Sequence, residues 1–187
     1  MIISLNGDHW DEIYDGYGNV NFGGGMISLK PKTSSSPSET HAALVLSKLR
    51  VKDFTVSIKA VTKEQLRTGS TPNPWEVFWI FFNYNFVSGG KKETNYFMLK
   101  TNGCELGSAC GDTDQKFLAT TNDPKLDTGT EYEYVIDKSG SSVNVSIDGN
   151  NIINFSDSGS DLYDDYGYIG LYAEDAHVLI TEVNFTA

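Results

Sequence analysis

The sequence predicts an all-β sandwich. Runs of β-branched and aromatic residues recur along the chain between Gly, Pro, Asn and Asp turn signals, and no stretch has the spacing of an amphipathic helix. The strongest run is PNPWEVFWIFFNYNFVSGGKKETNYFMLKTNG, starting at Pro72. Trp75 to Tyr84 reads as a long central strand, and Asn95 to Thr101 runs back beyond a Gly-Gly-Lys-Lys loop as its hairpin partner. By alternation, Trp75, Val77, Trp79, Phe81 and Asn83 share one face, and Glu76, Phe78, Ile80, Phe82 and Tyr84 the other. A strand apolar on both faces is covered on both: by a second sheet on one side, and by loops or a ligand on the other.

The remaining elements follow in order. Gly7 to Gly18 mixes turn formers with aromatics and reads as a loop packing one ring inward. Asn19–Phe22 and Gly25–Leu29 are short strands, and Lys32–Glu39 is a polar loop. Thr40–Lys48 and Asp53–Thr62 are the next strands; the second alternates Phe54, Val56, Ile58 and Ala60 against Thr55, Ser57 and Lys59, so one of its faces is buried. Lys63–Asn73 is a connection, Gln115–Thr120 a short strand and Asp123–Gly129 a turn-rich link. Glu131–Lys138, Ser142–Asp148 and Ile152–Phe155 form consecutive hairpins, the last closed by Asp148-Gly149-Asn150. An acidic loop, Ser156–Asp165, precedes strands at Gly167–Tyr172 and Val178–Phe185.

At 187 residues, one domain over 1–187 suffices. No apolar run is long enough for a membrane helix. The net charge of −11 repels nucleic acid and anionic lipid, so neither nucleic acid nor membrane is expected as a partner. Arg67, Lys91, Lys92 and Lys100 remain candidates for a local basic groove. Cys104 and Cys110 lie six positions apart in GCELGSAC, whose glycines allow a turn, so a disulfide and a pair of free thiols are both open. Sequons occur at Asn144, Asn154 and Asn184.

The order DFTVSIKA, aromatic strand, NYFMLKTNG, EYEYVIDKSGSSVNVSIDGNNI and YGYIGLYAEDAHVLITEVNF resembles the concanavalin A-like lectin/glucanase superfamily, with the closing pattern of its LamG-like and family-16-type domains. The resemblance implies a jelly-roll β-sandwich of two curved antiparallel sheets, a poly- or oligosaccharide partner on the concave sheet, and an extracellular or cell-surface setting. Retaining glucanases of that fold carry Glu-x-Asp-x-x-Glu on one strand, and no such segment is present here. Tyr96-Phe97-Met98-Leu99-Lys100 only loosely echoes the lyase motif Tyr-Phe-Lys-x-Gly. If the chain is an enzyme, a polysaccharide lyase is therefore favoured over a glucanase. A structural Ca²⁺ is common in the superfamily, and Asp8, Asp15 and Asp53 are the oxygen-rich candidates.

A lyase needs a group to neutralise a uronate carboxylate, a base and an acid. Arg67 or Gln65 could neutralise, His41 or Lys100 act as base, and Tyr96 or Tyr84 as acid. Each has a plainer reading: a solvated sheet face for Tyr96, Lys100 and Asn102, and a structural histidine for His41. Trp75 and Trp79 are candidate stacking platforms for a pyranose, or core. Glu76, Asn83 and Glu105 could bind hydroxyls or cap loops, and Glu174-Asp175 could hold a sugar or simply turn the chain. The expectation is a sandwich that binds a saccharide. A lyase, or an adhesion module whose concave face is filled by its own side chains, is the alternative.

Overall fold

The computed structural model describes residues 1–111 and 114–186 and places them in two antiparallel sheets of seven strands each. The first runs β1 (Trp10–Tyr14), β4 (Ala42–Val51), β13 (Gly167–Glu174), β6 (Phe78–Phe86), β7 (Lys92–Lys100), β8 (Gly103–Cys110) and β9 (Asp114–Thr121). The second runs β12 (Asn150–Ser156), β11 (Ser142–Ile147), β10 (Glu131–Ser139), β5 (Phe54–Gln65), β14 (Ala176–Thr186), β3 (Met26–Lys30) and β2 (Asn19–Gly23).

Alternation decides which side chains enter the core. On β5, Phe54, Val56, Ile58 and Ala60 are buried and the residues between them are half-buried, as the period-2 pattern predicts. Across the first sheet, Val45, Leu171, Ile80, Phe97 and Leu106 stand in register and point inward, towards the apolar face of the second. The central hairpin is present as β6 and β7, joined through a 3-10 turn at Ser88–Gly90.

Three local readings change. The first segment contains a strand, β1, whose Trp10 supplies the inward ring. Trp75 falls in the turn before β6 and is 44 % exposed, so it is not on the central strand. GCELGSAC is a strand rather than a turn, and both cysteines are free. Six residues of extended chain separate their Cα atoms by roughly 20 Å, beyond the reach of a disulfide.

Tyr84 also changes face. Asn83 adopts φ +52°, and the β6–β7 register slips between Phe82 and Asn85. One extra residue at such a bulge reverses the alternation beyond it. Phe78, Ile80 and Phe82 stay in the core, while Tyr84 emerges beside Phe81 on the outer face. Asn83, fully buried, anchors the bulge: its amide donates to the carbonyls of Lys52 (3.2 Å) and Asp165 (2.7 Å).

Candidate functional site

The outer face of the first sheet carries a cleft of about 830 Å³. Two cross-strand rows run beneath it and supply its rings. One places Tyr14, Leu44, Tyr172, Trp79, Met98 and Glu105 in register. The next aligns Gly170, Phe81, Tyr96 and Gly107. The rings pack on one another: Phe81 stacks on Tyr172 (centroids 4.7 Å apart) and on Tyr84 (6.0 Å), and Trp79 leans on Tyr96 (5.1 Å) and Tyr172 (5.4 Å). The Trp79 indole N–H donates to the Trp75 carbonyl at 2.7 Å, which fixes the ring's orientation. Asp15, Tyr17, Thr40 and His41, from the loops after β1 and before β4, form one wall.

Gly107 explains how Tyr96 lies flat. A Cβ there would sit 2.3 Å from the Tyr96 hydroxyl and 2.5 Å from the Lys116 carbonyl. Gly107→Ala is expected to cost about 1–3 kcal/mol in urea denaturation, as overpacking does. It should also lift the Tyr96 ring, read as a changed near-ultraviolet dichroism; an unchanged midpoint would show that the strand yields freely.

Polar groups occupy both ends of the floor. The Tyr96 hydroxyl donates to Glu105 Oε2 at 2.7 Å and accepts from Gln115 Nε2 at 2.7 Å, while Lys100 Nζ holds Glu105 Oε1 at 3.0 Å. Burial and the neighbouring Glu105 carboxylate push the Tyr96 phenol far up, so its proton stays on. At the other end, the Tyr172 hydroxyl donates to Glu174 Oε1 at 2.7 Å. Burial raises the Glu174 carboxyl from 4.5 to about 7; Asp175 and Glu76 push the same way, Tyr172 and Arg67 against. A carboxyl raised in the fold stabilises fully below its unfolded value, and that contribution is lost as the pH climbs through its folded one. The protein's stability relative to Glu174→Gln should therefore fall by roughly 1–3 kcal/mol between pH 4.5 and about 7, read by urea denaturation at each pH. Parallel pH profiles would return Glu174 to the ordinary carboxylate range.

Beneath the His41 wall lies a buried charge cluster. Arg67 donates through Nε to Glu76 Oε1 (2.7 Å) and through Nη2 to Asp175 Oδ2 (3.0 Å), and it also binds the carbonyls of Ser36 and Glu39. Asp175 Oδ1 accepts from the Ser34 hydroxyl (2.5 Å) and the His41 backbone N–H (3.0 Å), and Ser34 Oγ contacts His41 Nδ1 at 2.9 Å.

The predicted site residues divide accordingly. His41, Tyr96, Trp79, Tyr84 and Glu174 line the cleft, and Glu105 stands at its edge. Arg67, Glu76 and Asp175 do not reach it: they are buried in mutual ion pairs, which corrects their assignment to substrate contact. Lys100 is engaged by Glu105, and the Gln65 amide holds the carbonyls of Asn73 and Glu76. Asn83 anchors the bulge, and Trp75 and Asn102 sit in turns outside the cleft lining. Asp8, Asp15 and Asp53 occupy three different turns; among the described residues no three His, Cys, Asp or Glu side chains gather as metal ligands. Asp53 instead accepts from the Gly140 N–H, which with the Lys138 ammonium lowers its carboxyl. Tyr172 was missed although it alternates with Glu174 on β13, a period-2 signal that marks the shared face. Tyr14, Tyr17 and Gln115 carried no such signal.

Against solved structures, the chain superposes on the carbohydrate-binding module CBM66 from Bacillus subtilis with a TM-score of 0.69, at 14 % identity over 96 % of each chain. A Bacillus subtilis protein of galectin-like fold matches at 0.70, with 14 % identity, covering 99 % of this chain and 97 % of that one. The fold is the concanavalin A-like jelly roll. A Bacillus licheniformis β-glucanase shares it at 0.66 and 13 % identity, covering 97 % of this chain and 94 % of that one. No family model matches the sequence, and no curated protein matches it. On this jelly roll the cleft's acids, Asp15 and Glu174, come from different elements rather than one carboxylate-bearing strand.

Proposed function

We propose that the protein binds a poly- or oligosaccharide in the aromatic cleft without cleaving it. One observation carries the reading: the cleft is floored by a continuous aromatic cluster in which part-exposed Trp79 and Tyr172 rest on buried Phe81, Tyr84 and Tyr96. Aromatic faces suit the apolar faces of pyranose rings, and polar groups at the rim can meet the hydroxyls. The open cleft counts against an adhesion module with a self-filled face. Two of the matched structures are by name a carbohydrate-binding module and a β-glucanase, which supports the ligand class. A saccharide partner also fits an extracellular or cell-surface setting.

A polysaccharide lyase is the second reading, on the ground that His41 and Tyr96 share the cleft. The groups expected to complete it are engaged elsewhere: Arg67 is in buried pairs, Lys100 is on Glu105, and the Tyr96 proton is donated to Glu105. The test is titration calorimetry against neutral and uronate-containing oligosaccharides, with ultraviolet absorbance followed for unsaturated product. Binding without product is expected. Product from a uronate chain would make the protein a lyase, and silence throughout would remove the saccharide reading.

A further inference from the structure

The hydrogen bonds behind His41 define which ring nitrogen carries a proton. Asp175 has two oxygens and three donors in reach: Arg67 Nη2 on Oδ2, and the His41 backbone N–H and Ser34 hydroxyl on Oδ1. Paired with Arg67, it is a carboxylate and can only accept. The single Ser34 proton therefore goes to Asp175, and Ser34 Oγ has only lone pairs left for His41 Nδ1 at 2.9 Å. Nδ1 must supply the hydrogen. In the neutral imidazole this leaves Nε2 as an acceptor, with no partner among the described residues, on a ring that lines the cleft edge-on to Tyr17.

Of the three Asp, Glu or Lys side chains that line the cleft, two are acids. Asp15 and Glu174 line the same cleft, and Glu174 takes up its charge as the pH rises through about 7. Arg67, the nearby cation, lies buried between Glu76 and Asp175. Lys92, the cleft's lysine, lies against the Tyr14 ring, 5.8 Å from its centroid. A carboxylate-bearing sugar brought to His41 would meet the Nε2 lone pair and, above about pH 7, two ionised acids of the cleft, whereas a neutral sugar's hydroxyl can donate to Nε2.

We infer that the His41 end of the cleft selects an uncharged saccharide, one of whose hydroxyls donates to His41 Nε2, and that Ser34 and Asp175 are positioning residues that hold the imidazole in its Nδ1–H form. The ligand class rests on the saccharide reading above; the tautomer does not.

Long-range proton–nitrogen NMR on the full chain labelled at histidine tests the positioning, with His9 and His177 as internal comparisons. Neutral His41 is expected as Nδ1–H, and Ser34→Ala should move it towards Nε2–H. An Nε2–H ring in the native protein overturns the inference whether or not the variant folds. Calorimetry at pH 8, where Glu174 is ionised, with a neutral oligosaccharide and its uronate counterpart tests the selection. The uronate should bind about tenfold or more weakly, the size of one unfavourable charge contact. Equal or tighter uronate binding overturns the selectivity, and no binding of either overturns the saccharide reading beneath it while leaving the NMR result to decide the tautomer.

Discussion

Arg67→Ala is expected to lose about 3–5 kcal/mol of stability, the cost of stranding buried charge. The guanidinium is the one cation between two carboxylates that water does not reach: Glu76 is 1 % exposed and Asp175 0 %. Its bonds to the carbonyls of Ser36 and Glu39 also tie the loop before β4 to the β13–β14 corner. Removing it leaves two anions in a low-dielectric interior, and Glu76 Oε2 already lacks a hydrogen-bond partner. Arg67→Lys should recover little, because one ammonium cannot span the fork that reaches both acids and two carbonyls. Adding Glu76→Gln and Asp175→Asn to Arg67→Ala should restore more than half of the loss by removing the stranded charge. Urea denaturation checks all of these. A single-variant loss below about 1 kcal/mol, the range of a surface pair, would mean that water reaches the cluster.

That cluster also marks where sequence reasoning stops. KEQLRTGSTPN reads as a polar connection, whereas β5 runs three residues into it, as far as Gln65. Nothing local announces that Arg67 is buried, because its partners stand 9 and 108 residues away. The bulge at Asn83 is invisible for a different reason. Alternation places every residue of a regular strand, but one left-handed residue shifts the count, so Tyr84 joins Phe81 in the cleft instead of Phe82 in the core. Gly107 misleads in the same way: within GCELGSAC it suggests a turn, whereas it sits in β8 to make room for the Tyr96 ring. What period-2 patterning controls was legible, namely the sandwich, the β5 faces, the β6–β7 hairpin, and Trp79 and Phe81 on one face. What depends on tertiary pairing of polar groups was not.

Trp79 carries the largest expected effect on function. Its ring is the centre of the floor, touching Tyr96, Tyr172 and Phe81, and its N–H is already directed to the Trp75 carbonyl. A saccharide lying on it meets a surface set in advance, so little ordering entropy opposes binding. Trp79→Ala removes that surface and frees Tyr96 and Tyr172 to collapse into the gap. The loss should reach at least 2 kcal/mol, as for a central aromatic anchor, or about 30-fold in Kd. Trp79→Phe keeps an aromatic face without the N–H anchor and should lose less, roughly three- to tenfold, in line with a partial loss of stacking. Trp75 supplies the internal control: the residue is 44 % exposed and outside the cleft lining, while its contribution to Trp79 is a backbone carbonyl that Trp75→Ala preserves. Calorimetry on the three variants, each first shown to be folded by its urea midpoint, separates the cases. If Trp75→Ala lost binding and Trp79→Ala kept it, the saccharide would sit on the exposed loop surface before β6, and the cleft floor would be packing alone.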